Sequence, residues 1–164
     1  MSIRYNADEI FEMALQIERN GAKFYRRAAE LQQDRHTQAI LLELSGMEDD
    51  HQRTFADMRA QLTEQERKAM TFDPDGELPL YLRTMADKNV FDLRKDPSER
   101  LTGEETIEDM LRMAIGLEKD SIVFYLGLRE LVPERRGAGR IDKIVQEELG
   151  HIAALGDLMR CVRL

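Results

Sequence analysis

The chain has 164 residues, of which 42% are hydrophobic and 34% are charged, and its formal net charge is −8. A chain of this length can bury a substantial core, so we predict a single domain over 1–164. The net negative charge gives no electrostatic support for binding nucleic acid or an anionic membrane. The one cysteine, Cys161, excludes an internal disulfide framework and any cysteine-rich metal site within one chain.

Two amphipathic helices are predicted in the first part of the chain, forming a hairpin over about 6–68. Asn6 and Glu9 fit a capping box at the start of the first helix. Asp34 is the predicted N-cap of the second helix, which we expect to continue to about Lys68. In both segments the apolar residues recur at helical spacing.

A segment over about 69–103 then changes character. Turn-forming residues surround Pro74 and again Pro97. The segment is far longer than the usual loop between bundle helices. A helix of about 27 residues is about 40 Å long, so a linker of this size can cross that distance. We therefore predict a long crossover between helices 2 and 3, with these two helices parallel.

A second hairpin is predicted over about 104–163. Its first helix should begin at Thr102, which forms a capping pattern with Glu105, and continue to about Leu131. Its second helix is predicted over about 140–163. No strand-like alternation of useful length occurs in the sequence, so the fold class is all-α.

The two hairpins form a sequence repeat with a shift of 100 positions. The matching pairs are Met13 and Met113, Ala14 and Ala114, Glu18 and Glu118, Phe24-Tyr25 and Phe124-Tyr125, Glu30-Leu31 and Glu130-Leu131, Glu48 and Glu148, His51 and His151, and Asp57 and Asp157. Two copies of a hairpin must pack on each other to bury their apolar faces, which predicts a four-helix bundle.

The second helix of each hairpin contains Glu-x-x-His, as Glu48 with His51 and as Glu148 with His151. Residues three apart project from the same side of a helix. Both pairs interrupt a seam of apolar residues that a bundle helix turns toward its partners. A single such pair is usually just solvated, but two matched pairs inside apolar seams are costly to bury unless a metal ion compensates them.

The first helix of each hairpin adds one carboxylate to the predicted core, from Glu18 and Glu118. We therefore predict that four carboxylates and two imidazoles meet in one layer, the ligand set of di-iron and di-manganese carboxylate bundles. Two divalent ions carry a charge of +4, which balances the four carboxylates. Oxygen-rich ligation with one imidazole per ion suits Fe or Mn better than structural Zn.

The sequence resembles the ferritin-like superfamily, and within it the rubrerythrin group. The matching residues are Glu18 with Phe24-Tyr25, Glu48 with His51, Glu118 with Phe124-Tyr125, and Glu148 with His151. The resemblance implies two Fe ions per chain, with Mn or Zn as alternatives. It also implies reaction with O2 or hydrogen peroxide, in which ferrous iron is oxidised or peroxide is reduced, and a homodimer.

Two departures from the rubrerythrin pattern bear on this function. Rubrerythrins typically carry a further glutamate where this chain has Ser121, and they append a cysteine-rich rubredoxin module. Without that module, a separate electron donor protein is needed if the chain is an enzyme. Ferritin-like iron storage or delivery is the alternative function, a Mn catalase-like centre is a third, and a metal-free structural bundle is a fourth.

Some neighbouring residues are further candidates. Tyr25 and Tyr125 could hydrogen-bond a ligand carboxylate or simply pack in the core. Gly21 and Ser121 are small and are expected to leave space beside the metals for a small oxidant or bridging ligand. Glu147 adjoins a ligand and could orient a histidine, although methionine occupies the counterpart position.

The cellular compartment is inferred from what the sequence lacks. The first residues show no apolar signal core, and no window approaches the roughly 20 apolar residues that span a bilayer. With a single cysteine, this pattern favours the reducing cytoplasm.

Overall fold

A computed structural model of the chain describes residues 6–68 and 95–162, and these ranges contain helices but no β-strand. The helices are α1 (Ala7–Glu30), α2 (Arg35–Ala60), the short α3 (Glu64–Lys68), α4 (Ile107–Leu131) and α5 (Ala138–Val162). Single 3-10 turns lie at Pro97–Arg100 and Glu134–Arg136. The predicted all-α class is confirmed.

The predicted start signals of the first two helices are confirmed. The Asn6 side chain accepts a hydrogen bond from the Glu9 backbone N–H, and the Glu9 carboxylate accepts one from the Asn6 N–H, both at 2.9 Å. The Asp34 carboxylate accepts from the Thr37 N–H at 2.8 Å. These bonds satisfy donors that the first helical turn leaves free.

The predicted start of α4 at Thr102 is wrong. The helix begins after Thr106, whose side chain accepts from the Asp109 N–H in a complete capping box. Thr102 also hydrogen-bonds the Glu105 carboxylate, but it does so in a turn that precedes the helix. Gly103 has a φ of +94°, which no right-handed helix accommodates, so the first of the two capping patterns closes a turn instead.

Helix α2 also ends earlier than predicted, at Ala60 rather than about Lys68. The Arg67 side chain donates to the backbone carbonyls of Arg59 and Leu62, and so covers the end of α2. Arg67 also lies 2.7 Å from Asp8 at the start of α1. This ion pair and the carbonyl contacts hold α3 against the end of the hairpin.

The predicted apolar seams form the core, which has two clusters of buried residues. One cluster combines the first half of α1 with the last turns of α2 and α4 and the start of α5, and it includes Phe11, Phe55, Phe124 and Ile141. The other combines the opposite helix halves and includes Phe24, Leu41, Leu111 and Leu155. Along each helix, the predicted polar seam residues lie between these two clusters.

Contacts between helix ends hold the first hairpin together and join it to the second. Arg59 near the end of α2 holds Asp8 at the start of α1 through two hydrogen bonds, of 2.9 and 2.7 Å. Met58 lies beside Gly137 at the start of α5, and Leu31 lies beside Gly103 before α4. The predicted crossover between the hairpins falls largely on residues 69–94, which are outside the described residues, so its path stays a prediction.

Within residues 6–68 and 95–162, no helix is both long enough and apolar enough to cross a bilayer.

We expect opposite effects from alanine at two glycines near or within α5. Gly137 has a φ of +102°, so Gly137→Ala should lower the free energy of unfolding by about 1 to 2 kcal/mol. Gly156 lies inside α5 with open space around its Cα, so Gly156→Ala should raise it by about 1 kcal/mol through helix propensity. Urea unfolding of the two variants checks both; a stabilised Gly137→Ala protein would contradict the turn geometry.

Candidate metal centre

The structure brings all six predicted ligand residues together in the middle of the bundle. Each long helix supplies one carboxylate, and α2 and α5 add one imidazole each one turn after their glutamates. All six residues are buried, with no more than 4% of any of them exposed. They are Glu18, Glu48, His51, Glu118, Glu148 and His151.

The six side chains form two overlapping groups of four. In each group, one ligand atom from every residue lies within 4.8 Å of the others. The first group is Glu18, Glu48, His51 and Glu148, and the second is Glu48, Glu118, Glu148 and His151. The two Glu-x-x-His glutamates belong to both groups and would serve both ions, whereas each remaining residue belongs to one group.

Both histidines present the same ring nitrogen to the shared carboxylates. The His51 Nδ1 atom is 3.2 Å from Glu148 Oε1 and 3.5 Å from Glu18 Oε2. The His151 Nδ1 atom is 2.8 Å from Glu148 Oε2 and 3.2 Å from Glu48 Oε1. The two imidazole rings are stacked, with centroids 5.7 Å apart and planes 19° apart. The pseudo-twofold relation of the sequence repeat is therefore present in the site.

The hydrogen-bonding of the cluster is incomplete in a way that fits metal ligation. Among the described residues, every buried side-chain nitrogen or oxygen without a hydrogen-bond partner belongs to these ligand residues. They are Glu18 Oε2, Glu48 Oε1, His51 Nδ1, both carboxylate oxygens of Glu148, and both ring nitrogens of His151. Buried polar atoms are normally paired, so a group of such atoms facing one another fits a bound cation between them.

The electrostatics of the cluster show what happens when no metal compensates it. Burial raises the pKa of Glu18 to about 8, and burial likewise raises the pKa of Glu48 and Glu118 well above the usual range. Burial disfavours ionised Glu148 too, but the two histidines close to its oxygens outweigh burial and lower its pKa to about 2.

The histidines respond in the opposite sense. Burial disfavours the imidazolium, yet the surrounding carboxylates outweigh it and raise the pKa of His151 to about 12. The pKa of His51 is raised for the same reason, mainly by Glu148. The metal-free cluster thus retains protons that divalent cations would displace.

The outer glutamates, Glu18 and Glu118, are those that belong to only one ligand group. Each accepts a hydrogen bond from a tyrosine of the opposite hairpin. The Tyr25 hydroxyl donates to Glu118 Oε1, and the Tyr125 hydroxyl donates to Glu18 Oε1. Burial and the nearby carboxylates raise the pKa of both tyrosines well above the usual value, so both remain donors. The contact of each tyrosine with a ligand carboxylate, expected from the sequence, is present, and each crosses between the two hairpins.

The expected space beside the small residues is not found at Gly21. A Cβ at Gly21 would lie 3.1 Å from Glu48 Oε2 and 3.2 Å from Glu48 Cδ, so the carboxylate already fills this volume. Gly21 makes room for a ligand side chain rather than for an external molecule, which corrects the expectation. The Ser121 hydroxyl is buried and donates to the Leu117 carbonyl at 3.0 Å.

Glu147 contacts one of the histidines, and the sequence did not indicate which. Its Oε2 atom lies 2.9 Å from Nε2 of His51, on the opposite hairpin, and not on the histidine of its own helix. The Lys143 ammonium lies 3.5 Å from the other oxygen of Glu147. This pairing depends on how the two hairpins pack against each other. The sequence of each helix alone does not show it.

Four long helices around a buried layer of glutamates and histidines define the ferritin-like di-iron-carboxylate architecture. A solved crystal structure of a Thermotoga maritima protein, provisionally described as a ferritin-like diiron-carboxylate protein, is similar over 96% of each chain, with a TM-score of 0.70 and 25% sequence identity. No protein-family model and no curated protein matches the chain. The predicted ferritin-like fold is confirmed, and fold and cluster together support a binuclear metal site.

The raised pKa values lead to a prediction about the metal-free protein. In the folded chain Glu18 binds its proton up to about pH 8, whereas the ordinary pKa is 4.5. The stability linked to that proton is fully present below 4.5 and is lost as the pH rises through 8. The raised pKa of His151 acts in the same direction. Urea unfolding with a chelator present should therefore give a smaller free energy of unfolding at about pH 8 than at about pH 5.5.

Divalent metal should reverse this trend, because the ions replace protons on the ligands. Added Mn²⁺ should stabilise the protein more at the higher pH and release protons into weakly buffered solution. A metal-free protein that gains stability over the same rise in pH would contradict the proton-retaining cluster.

The contact at Gly21 gives a second prediction. Gly21→Ala places a methyl group against Glu48 and should weaken divalent-metal binding about tenfold, the lower end of what a disturbed metal-supporting contact costs. The free energy of unfolding of the metal-free protein should change by less than about 1 kcal/mol, because helix propensity favours alanine. Ser121→Ala is the matched control on α4. Equal metal affinity in wild type and Gly21→Ala would show that Glu48 can move freely.

Proposed function

We propose that this chain is a dinuclear-iron protein that reacts with O2 or hydrogen peroxide, as an oxidase, a peroxidase or a ferroxidase. The observation that carries the proposal is the pair of overlapping ligand groups that share Glu48 and Glu148. The description of the similar Thermotoga maritima protein as a diiron-carboxylate protein supports the same chemistry. Membership of the rubrerythrin group, a separate electron donor, a homodimer and a cytoplasmic location remain predictions.

The ligand chemistry favours iron or manganese over structural zinc. Each group offers three carboxylates and one imidazole, a set rich in oxygen that suits Fe or Mn. Structural Zn sites prefer closed sets of cysteine and histidine. Shared between two divalent cations, the four carboxylates give a site of no net charge, which lowers the cost of burial. Bound iron would supply the one-electron redox chemistry that no side chain of the cluster provides.

The protein's own residues would fix the ligands and keep bulk water out. The apolar clusters on both sides of the layer include Phe55 and Leu155, which immediately follow the two histidines along their seams. The hydroxyl of Tyr125 holds Glu18 Oε1, which leaves Glu18 Oε2 facing the His51 imidazole. Glu18 thus uses one oxygen for orientation and keeps the other for the ion.

The proposal is tested by counting metal and then oxidising it. We expect two Fe²⁺ per chain after anaerobic loading and removal of excess iron, and an absorbance change when O2 or hydrogen peroxide is added. Glu18→Ala and Glu118→Ala each remove a ligand from one group, so each should lower the iron content toward one per chain. Glu30→Ala and Glu130→Ala are matched controls, because these exposed glutamates are also related by the repeat.

Other outcomes would replace the proposal. Hundreds of irons per assembly, with a matching mass in size-exclusion chromatography, would establish storage instead. Mn in the native protein together with O2 release from peroxide would establish a Mn catalase-like centre. Failure to bind Fe²⁺, Mn²⁺ or Zn²⁺ would leave a helical bundle without metal chemistry.

A further inference from the structure

The two halves of the metal centre differ at a pair of positions beside the histidines. The repeat matches Glu147 in α5 with Met47 in α2, each directly before the Glu-x-x-His glutamate of its helix. The pairs of ligands, the tyrosines and their cross-hairpin hydrogen bonds all follow the pseudo-twofold relation. Glu147 has a carboxylate where Met47 has a thioether, so the pseudo-twofold relation is broken at this position beside the histidines.

On one side, the carboxylate of Glu147 hydrogen-bonds the His51 ring and so fixes its orientation. Glu147 Oε2 accepts a hydrogen bond from the ring Nε2 at 2.9 Å, so Nδ1 is the nitrogen that faces the ligand group. Glu147 is two-thirds buried, and Lys143 lies 3.5 Å from its second oxygen. A histidine that donates to a carboxylate in this way is oriented and is a more basic metal ligand.

On the other side, His151 lacks this support. Its Nε2 atom has no hydrogen-bond partner among residues 6–68 and 95–162, although the residue is only 1% exposed. Met47 and His151 line the same cleft, of about 600 Å³, between α2 and α5. Methionine sulfur is a weak acceptor, so it does not replace a carboxylate in fixing the tautomer or the ring orientation.

We propose that Glu147 is a positioning residue that makes the His51 ion site the tighter of the two, so that the centre takes up its metals in a fixed order. The inference rests on the proposed metal-binding function. Contacts of this kind typically change metal affinity 10- to 100-fold. The first ion therefore enters the group with Glu18 and His51, and the second enters the group with Glu118 and His151.

Variants that each keep one intact group test the order. Glu118→Gln leaves the His51 group, and Glu18→Gln leaves the His151 group. Each full-length variant is titrated anaerobically with Co²⁺, followed by its visible absorption. We expect the dissociation constant of Co²⁺ to be about 10- to 100-fold lower in Glu118→Gln than in Glu18→Gln. Equal constants, or tighter binding in Glu18→Gln, would overturn the inference.

Substitutions of Glu147 distinguish the effect of its hydrogen bond to His51 from the effect of its negative charge. In the Glu118→Gln background, Glu147→Met should remove the affinity advantage, whereas Glu147→Gln should retain most of it, because the amide oxygen can still accept from Nε2. If Glu147→Gln weakens Co²⁺ binding as much as Glu147→Met, charge alone acts and the positioning role is wrong. Glu43→Gln is the matched control, since this exposed carboxylate lines the same cleft and should leave the constant unchanged.

The reciprocal exchange provides a gain-of-function test. In the Glu18→Gln background, Met47→Glu should tighten Co²⁺ binding about tenfold, while Met47→Leu should not. Circular dichroism confirms that each variant is folded before its titration is read. If no variant and not even the unmodified chain binds Co²⁺, the proposed metal function itself fails. If the chain binds two ions but the exchange changes nothing, the metal site stands and only the loading order is wrong.

Discussion

The structure depends on one electrostatic constraint, the burial of four carboxylates and two imidazoles in a single layer of the core. Desolvation disfavours every charged form in that layer, and the carboxylates repel one another. Tyrosine hydroxyls and the histidines compensate part of the cost, and they leave a set of ligand atoms that face one another without partners. Two divalent cations would satisfy those atoms and neutralise the carboxylates at once. The apolar clusters on both sides of the layer make this compensation necessary, since they exclude the water that would otherwise provide it.

The contacts around this layer join the two hairpins, so the site and the fold depend on each other. Tyr25 of the first hairpin holds Glu118 of the second, and Tyr125 holds Glu18 in return. His51 likewise reaches across to Glu147. Neither hairpin alone contains a complete ligand group, because each group draws residues from both. A duplicated hairpin therefore gains its chemistry through packing, and the differences between the copies, such as Met47 against Glu147, distinguish the two ion positions.

Much of the fold and of the ligand set could be predicted from the sequence, because both depend on local spacing. Steps of three and four residues gave the seams, and the repeat distinguished Glu48 and Glu148 from ordinary surface glutamates. Other features depend on interactions between distant residues. Helix α4 has two successive capping patterns, and the left-handed backbone of Gly103 decides between them. Beyond the end of α2, Arg67 forms an ion pair with Asp8, a residue far away in the sequence. The clearance at Gly21 depends on the side-chain conformation of Glu48 in the next helix.

Anomalous X-ray diffraction tests most directly whether two cations occupy the layer between the shared glutamates. Crystals grown with Fe²⁺ or Mn²⁺ would be measured above and below the absorption edge of the metal. We expect two anomalous peaks in the bundle core, both beside the carboxylates of Glu48 and Glu148, with one imidazole at each. A core without anomalous density, or peaks confined to the surface carboxylates, would contradict this expectation.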